Sequence, residues 1–256
     1  PSVESELLRT SLEDMCLQTK RLGLAPGGPD DHDGLPGFLS RAMSPPPKLS
    51  VDNAMEHLVS VGAMDATTNN LTSLGRCLSA LSLEPHVGKM VIYSHFLGVA
   101  HAAKALGVAM SYKSPFTMPP QALQISAGEA HVDLSRNTES DPITVLYALQ
   151  EYDYLKRDRR AANDFCSDNF LGRSTLGMMD SLQKNVSREL SRLRFPDSTR
   201  VQGYHNRHDH EKDPALWQAA IAAGAYPNVA MRTKGESKFL TKSGQRAMIH
   251  ASSVNS

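Results

Sequence analysis

Cysteine is scarce in this 256-residue sequence, and the three that occur, Cys16, Cys77 and Cys166, lie far apart without a C-x-x-C pair. This spacing argues against a disulfide framework and against a zinc site built on cysteine. We predict that the thiols are small apolar core residues in a reducing, intracellular compartment. The sequence does not distinguish nucleus, cytoplasm and mitochondrion.

Long apolar runs and an excess of charge are also missing. No run reaches the roughly eighteen apolar residues of a membrane-spanning helix. Because 27 basic residues balance 27 acidic ones, no global field attracts the chain to nucleic acid, and any phosphate contact must depend on a local cluster. The chain begins at Pro1 with neither a signal peptide nor an initiator methionine, so we expect it to begin within a longer protein.

Sequence signatures of catalysis do not occur either. The only Gly-Lys pair, Gly88-Lys89, is followed by Met90 and lacks the upstream glycine of a phosphate-binding loop. Neither G-x-S-x-G nor H-E-x-x-H is present. We therefore predict no catalytic residue in this chain and no cofactor bound by it.

A histidine-rich run at residues 205–211, HNRHDHE, offers three imidazoles and neighbouring carboxylates that could bind zinc. The alternative is a solvated loop leading into a helix that Asp213 caps and Pro214 begins. We favour the loop and predict no metal site, because no cysteine or fourth ligand is spaced to complete the coordination.

The chain is predicted to be mainly α-helical with small β units. In residues 1–83, a helix from about Ser50 carries apolar residues at helical spacing, and a hairpin follows around Thr67-Thr68-Asn69, which is typical of a winged helix. Residues 84–195 are predicted to form a helical bundle. Residues 196–256 show short β-like pieces, which indicate an incomplete small β-barrel.

Two segments lack apolar periodicity and are predicted to be irregular. The run at 25–37 consists mainly of proline, glycine and aspartate and is predicted to be a loop. The segment 114–139 contains Pro115, Pro119 and Pro120 and is predicted to be a long surface connection.

Basic residues cluster near the end of the chain. Between Met231 and Arg246 the only acidic residue is Glu236, whereas five residues are basic: Arg232, Lys234, Lys238, Lys242 and Arg246. Cationic loops with Thr and Ser suit contacts to the phosphates of single-stranded nucleic acid. An ordinary solvated strand edge protected by lysines accounts for the same composition equally well.

Short motifs extend over nearly the whole chain. The first third contains LRTSLEDMCLQ at 8–18, NAMEHL at 53–58, GAMD at 62–65 and LTSLGR at 71–76. The middle contains LEP at 83–85, GKM at 88–90, SYKSPF at 111–116, SD at 140–141 and FCSDNFL at 165–171. The end contains AGAYPNVA at 223–230 and HASSVN at 250–255. In this order the motifs resemble the C-terminal half of DEAH/RHA-type RNA helicases, the subgroup that includes RNA helicase A.

The resemblance implies a winged helix over 1–83, a helical ratchet domain over 84–195 and an incomplete OB-fold over 196–256. It also implies a parent ATP-dependent enzyme that hydrolyses NTP between two RecA-like domains and translocates on single-stranded RNA. ATP and Mg²⁺ would belong to those RecA-like domains, so this chain should be inactive alone. Implied partners are RNA, the upstream RecA-like domains, an activating protein at the OB-fold and a ribonucleoprotein complex.

Particular residues follow from the resemblance as candidates for RNA binding. His250, Ser252 and Ser253 would bond RNA, while Lys238, Thr241, Lys242 and Arg246 would hold phosphates nearby. Asn169 and Arg173 could contact RNA from the ratchet domain. A helix-capping role for Asn169 is an equal alternative.

The chain departs from the family pattern at one position, and two other functions are alternatives to the helicase role. Ala251 stands where the family often has a basic residue or proline after the histidine. A non-catalytic scaffold subunit of a large RNA–protein assembly is the alternative function. A winged-helix regulator of duplex DNA is disfavoured, because the helix at 51–61 has no basic residue except His57 to meet a major groove.

Overall fold

The computed structural model describes residues 11–25, 34–195, 212–232, 239–250 and 252–255. The chain divides into two compact units, residues 1–89 and 90–256. The finer division into three domains at residues 83 and 195 stays a prediction.

The first unit is built from short helices around one hairpin. Its helices are α1 (Glu13–Arg21), α2 (Gly34–Leu39), α3 (Lys48–Val61) and α4 (Ser73–Leu78), and α5 (Pro85–Leu97) continues into the second unit. The predicted stripe of α3 is confirmed, because the buried residues of this helix are Val51, Ala54, Leu58 and Val61. Gly62 ends α3 in the left-handed region at φ 86°, where glycine has no Cβ penalty.

The predicted hairpin is present in a minimal form. One antiparallel bridge joins Met64 to Leu71, and the Asp65 amide donates to the Asn70 carbonyl at 2.9 Å. The Asp65 carboxylate accepts hydrogen bonds from the backbone of Thr68 at 2.8 Å and from its hydroxyl at 3.0 Å. The backbone hydrogen bond is the main cause that lowers the pKa of Asp65, and the hydroxyl bond adds to it. Both bonds stabilise the turn.

The entry to α4 depends on a close backbone contact. Thr72 caps this helix, since its Oγ1 accepts the Gly75 N–H at 3.0 Å and lies 2.7 Å from the Gly62 carbonyl, to which it donates. Gly75 packs directly on the backbone of Ala63, and a Cβ added to Gly75 would lie 1.9 Å from the Ala63 carbonyl oxygen. The glycine of the LTSLGR motif is therefore required by space.

The loop predicted for residues 25–37 is wrong from Gly34 onward, where α2 begins. Leu35 and Leu39 are both buried and lie four residues apart, so they anchor one helical face. Pro36 is tolerated because it lies in the first turn, where its missing N–H breaks no helical bond. Residues 26–33 lie outside the described residues.

The second unit is a helical bundle followed by a small sheet. Its further helices are α6 (Ala100–Ser111), α7 (Gln124–Ser135), α8 (Asp141–Leu155), α9 (Arg159–Asp168), α10 (Arg173–Arg192) and α11 (Pro214–Ala225). Helices α6, α8 and α10 pack on one another, and Leu106, Leu146 and Leu176 are fully or almost fully buried. Among the residues that the structure describes, no helix combines the length and hydropathy needed to cross a bilayer.

Helix α7 corrects the prediction that 114–139 is an irregular surface connection. The segment also contains a 3₁₀ turn at Gln121–Leu123. No apolar period marks α7 in the sequence, because only Ser135 of this helix is buried, while Ile125 and Val132 are exposed. The helix packs on α8 mostly through half-buried small and polar residues, which a search for apolar stripes does not detect.

Three short antiparallel strands form the sheet, β1 (Ala230–Arg232), β2 (Phe239–Thr241) and β3 (Arg246–Ala247), in the order β1-β2-β3. Met231 pairs with Leu240, and Leu240 pairs with Arg246, so these three side chains share one face. The predicted fold class, mainly α with small β units, is confirmed.

The cysteines behave as core residues in two of three cases. Cys16 and Cys166 are buried, whereas Cys77 is partly exposed, and all three are free thiols. Burial raises the pKa of Cys16 to about 12, so its thiol stays protonated and unreactive while the first unit is folded.

Candidate nucleic-acid interface

The hairpin of β2 and β3 carries three of the predicted RNA-binding residues, Thr241, Lys242 and Arg246. Thr241 shapes the turn of this hairpin: its Oγ1 accepts the Gln245 N–H at 3.0 Å and lies 2.9 Å from the Ser243 hydroxyl. The Thr241 hydroxyl therefore already has two partners within the hairpin. Its structural role is to hold the residues between it and Gln245 in a fixed turn.

The two cations of the hairpin lie at the surface. Lys242 donates to the Tyr226 hydroxyl at 3.2 Å, and its ammonium lies 5.4 Å from the centroid of the same ring. Arg246 is exposed on the face that Met231 and Leu240 share. We call Lys242 and Arg246 the hairpin cations. The fourth residue of this predicted group, Lys238, lies outside the described residues.

Beyond β3, the predicted group His250, Ser252 and Ser253 forms a compact turn. His250 Nδ1 lies 3.2 Å from the Ser252 amide, which donates to it, and 2.8 Å from the Ser252 hydroxyl. An acceptor at Nδ1 implies that a neutral imidazole carries its proton on Nε2. The Ser253 amide donates to the His250 carbonyl at 2.9 Å and closes the turn.

Two hydrogen bonds attach the next residues to the start of α8. The Val254 amide donates to Asp141 Oδ1 at 2.8 Å, and the Asn255 side-chain amide donates to the Glu139 carbonyl at 2.9 Å. Ser140 is the N-cap of α8, and Asp141 lies in the first turn of this helix. The Asp141 carboxylate therefore accepts a hydrogen bond from Val254 and also complements the N-terminal dipole of α8.

This attachment creates a cleft of about 280 Å³ that contains all three residues of the His250 group. The cleft is lined by Ala109, Tyr112, Ser114, Phe116, His131, Asp141, Pro142, Val145, His250, Ser252 and Ser253. Sequence reasoning missed Phe116, His131 and Asp141 as members of the site. The SYKSPF and SD motifs mark Phe116 and Asp141, but no local pattern marks His131.

One wall of the cleft is aromatic. The rings of Phe116 and His131 lie with centroids 3.8 Å apart and planes inclined by 35°. Burial lowers the pKa of His131 and outweighs the opposing effect of Asp141, so the imidazole is neutral at pH 7. The wall therefore presents flat and uncharged surfaces.

The backbone at Phe116 pairs with the segment between Asn169 and Arg173, the other two residues predicted to bind RNA. Phe116 forms an isolated bridge with Leu171, and Phe170 accepts the Thr117 amide at 2.8 Å. Asn169 donates from its side chain to the Phe165 carbonyl at 2.9 Å, which is the helix-capping geometry considered for it. Its alternative role in RNA binding stays a prediction.

Arg173 begins α10 and is held by a neighbouring helix. Its guanidinium donates to Asn163 Oδ1 at 2.7 Å. Asn163 is part of α9, so the bond ties the start of α10 to the helix before it. Arg173 follows the 165–171 motif closely in the sequence. Its predicted contact with RNA stays a prediction.

The described residues contain no group of three or more His, Cys, Asp and Glu side chains arranged to hold a metal ion. The histidine run at 205–211, for which zinc was the alternative, lies outside them. The hairpin and the cleft are therefore the candidate sites within the part of the chain that the structure describes.

The last part of the chain is similar to a known protein family. Residues 217–256 match the model of an oligonucleotide/oligosaccharide-binding (OB)-fold family. This match contains the hairpin cations as well as the His250 group.

Longer matches cover nearly all of the chain. The DExH-box ATP-dependent RNA helicase DExH1 of Arabidopsis thaliana is 33% identical over 252 residues, 98% of this chain and 24% of that protein. The ATP-dependent DNA/RNA helicase DHX36 of Homo sapiens is 30% identical over 257 residues, 98% of this chain and 24% of that protein. The human ATP-dependent RNA helicase DHX29 is 28% identical over 268 residues, 98% of this chain and 19% of that protein. The chain thus spans about a quarter or less of the relatives it matches.

Proposed function

Because the chain matches the C-terminal region of DEAH/RHA-type RNA helicases along nearly its whole length, we propose that it is the RNA-gripping module of such an enzyme. In this role it holds single-stranded RNA while an ATP-driven motor translocates along the strand and remodels RNA or ribonucleoprotein. The observation that carries the proposal is the OB-fold match at residues 217–256, which contains the hairpin cations and the His250 group.

The geometry supports a grip on the sugar-phosphate backbone at the hairpin. Lys242 and Arg246 belong to one β2–β3 hairpin, whose turn is fixed by hydrogen bonds from Thr241. A cation on a fixed turn loses less conformational freedom on binding than one on a flexible loop. Exposed cations also release counterions when they neutralise phosphates, which makes binding favourable at low salt.

The proposal assigns hydrolysis to RecA-like domains elsewhere in a longer polypeptide. ATP and Mg²⁺ would be bound there, and the residues described here would contribute no catalytic group. On this basis the chain alone binds RNA and hydrolyses no ATP, whereas a polypeptide that includes RecA-like domains has RNA-stimulated ATPase activity.

The experiment is a salt titration of RNA affinity. Fluorescence anisotropy with a labelled single-stranded RNA is recorded for the chain and for the double variant Lys242→Gln/Arg246→Gln. Each lost phosphate contact lowers the slope of log K against log salt concentration by about 0.7 for a single strand. We therefore expect the double variant to lose about 1.4 from this slope and to bind more weakly at low salt.

A control variant distinguishes the loss of the hairpin site from the loss of positive charge elsewhere in the chain. Arg160→Gln removes one positive charge from α9, where Arg160 lies 3.9 Å from Asp164 and far along the sequence from the hairpin. This variant should keep the slope of the unmodified chain. Equal slopes for the control and the double variant would refute the hairpin as the phosphate contact, and no measurable RNA binding by the unmodified chain would refute the proposed function.

A further inference from the structure

The cleft beside α8 differs in chemistry from the hairpin that precedes it. Its volume of about 280 Å³ is just below the range of drug-sized pockets, so it suits one ring system rather than a folded ligand. Tyr112, Phe116 and His131 supply ring surfaces, and Ser114, Ser252 and Ser253 supply hydroxyls. Flat walls with a few polar groups are the usual form of a site for a planar polar ligand.

Charge argues against a phosphate in this cleft. None of the described residues that line it is Lys or Arg, whereas Asp141 contributes a carboxylate. The N-terminal dipole of α8, which could attract an anion, already has the Asp141 carboxylate in its first turn. Because burial also favours the neutral form of His131, neither this histidine nor a lysine or arginine supplies a positive charge that would offset a phosphate.

We propose that this cleft binds one nucleobase of a single-stranded RNA, and that Asp141 selects bases that carry an exocyclic amino group. The proposal rests on the proposed function, since it specifies what the His250 group does within it. It specifies the expected contact of His250, Ser252 and Ser253 with RNA as a contact to the base. The phosphates are then left to the hairpin cations.

The selection follows from how Asp141 is held. Its Oδ1 accepts the Val254 amide at 2.8 Å, which fixes the orientation of the carboxylate. An ionised carboxylate accepts hydrogen bonds only, so its remaining capacity suits an amino donor such as N4 of cytosine or N6 of adenine. Uracil presents a carbonyl oxygen where cytosine carries its amino group, and two acceptors do not pair, so uracil has only its N3–H to donate to the carboxylate.

The two sites are close enough to share one strand. His250 follows Arg246 by four positions, a chain length of at most about 14 Å. A strand whose phosphates contact the hairpin cations can therefore place a nearby base in the cleft. Base stacking on aromatic side chains is the common means by which proteins hold unpaired nucleotides.

The first test uses nucleosides, which carry a base without a phosphate. Cytidine, uridine and ribose 5-phosphate are titrated into the chain while the imidazole NMR signals of His131 and His250 are followed. We expect saturable shifts of both signals with cytidine, weaker binding of uridine by about fivefold, and no saturable shift with ribose 5-phosphate.

A variant of the aromatic wall tests the stacking surface. Phe116→Leu keeps an apolar side chain and the backbone bridge to Leu171 but removes the flat ring. We expect at least fivefold weaker cytidine binding. Phe96→Leu is the matched control, because Phe96 lies on α5 and is 78% exposed, and it should leave cytidine binding unchanged.

A second variant tests selection rather than affinity. In Asp141→Asn, the Val254 amide still requires an oxygen as its acceptor, so the new NH₂ group replaces the other carboxylate oxygen. A donor at that position suits the carbonyl of uracil and opposes the amino group of cytosine. We therefore expect the preference for cytidine to be lost or reversed, which a merely structural role of Asp141 would not produce.

The outcomes separate the two proposals. Absence of a saturable cytidine shift, equal binding of ribose 5-phosphate, or an unchanged preference in Asp141→Asn would overturn the base site. If the hairpin variants still lower the salt slope in that case, the proposed function survives. If cytidine binds as expected but the chain has no affinity for RNA, the proposed function fails, and the assignment of the cleft to a base of RNA fails with it.

Discussion

Substitution of Gly75 tests why the LTSLGR motif contains a glycine. In Gly75→Ala, the new methyl carbon would lie 1.9 Å from the Ala63 carbonyl oxygen, whereas ordinary contact begins at 3.4 Å. The carbonyl must therefore move by roughly 1.5 Å. It accepts a hydrogen bond from the Thr72 amide at 3.1 Å, and the displacement weakens this bond.

The magnitude follows from these two effects. Overpacking costs about 1–3 kcal/mol, and the loss of one backbone hydrogen bond adds about 1 kcal/mol. We expect the free energy of unfolding of the first unit to fall by about 2–4 kcal/mol. With the denaturant dependence of a small unit, this corresponds to a decrease of at least about 1 M in the urea midpoint.

Cysteine labelling measures this effect in one unit at a time. Cys16 is fully buried in the first unit, and Cys166 is buried in the second. Brief alkylation at increasing urea, followed by peptide mass spectrometry, gives a separate unfolding midpoint for each thiol. The midpoint at Cys16 should fall in Gly75→Ala, and Cys166 is the internal reference.

Gly128→Ala is the matched control. Gly128 lies within α7, and a Cβ added there meets nothing within 4 Å. Alanine is the better helix former by about 1 kcal/mol, so this variant should leave the Cys16 midpoint unchanged and not destabilise the second unit. A Cys16 midpoint in Gly75→Ala within about 0.3 M of the unmodified chain would refute the steric argument.

Two further predictions concern the first unit, at the cap of α4 and at the turn between Met64 and Leu71, and both use the unfolding midpoint at Cys16. Thr72→Ala removes the cap of α4 and should destabilise the first unit by about 1–2 kcal/mol, while Thr72→Ser should retain most of the stability; equal midpoints for the two variants would contradict the capping role. The Asp65 pKa is lowered in the folded state, so its hydrogen bonds contribute stability above the ordinary value of 3.8 and lose it as the pH falls through the folded pKa. Asp65→Asn should therefore be less stable than the unmodified chain at pH 6, and this difference should shrink as the pH falls below 3.8. A difference that stays constant with pH would contradict this assignment.

The sequence predicted the fold best where burial follows a local period. In α3 the four buried residues recur every three or four positions, and the structure confirms each of them. Helix α7 was missed because its contacts with α8 involve few large apolar side chains. Periodicity reports burial of apolar area, and a helix that buries little of it gives no signal.

The candidate site was predicted only in part for a related reason. His250, Ser252 and Ser253 stand together in one motif, and the structure places them in one cleft. Phe116, His131 and Asp141 complete that cleft from positions more than 100 residues earlier, and no local pattern couples them to His250. Such a grouping depends on tertiary packing, which sequence periodicity does not encode.

The hydrogen bonds from Val254 to Asp141 and from Asn255 to Glu139 join residues 113 and 116 positions apart in the sequence. During synthesis, α6 to α10 can assemble from residues that have already left the ribosome, whereas residues 252–255 follow the end of α10 by about 60 residues, a delay of roughly 3–12 s at elongation rates of about 5–20 residues per second. Closing so long a loop also carries a large entropic cost until the bundle is folded. The cleft is therefore among the last features of the molecule to form, after its aromatic wall has already taken its place.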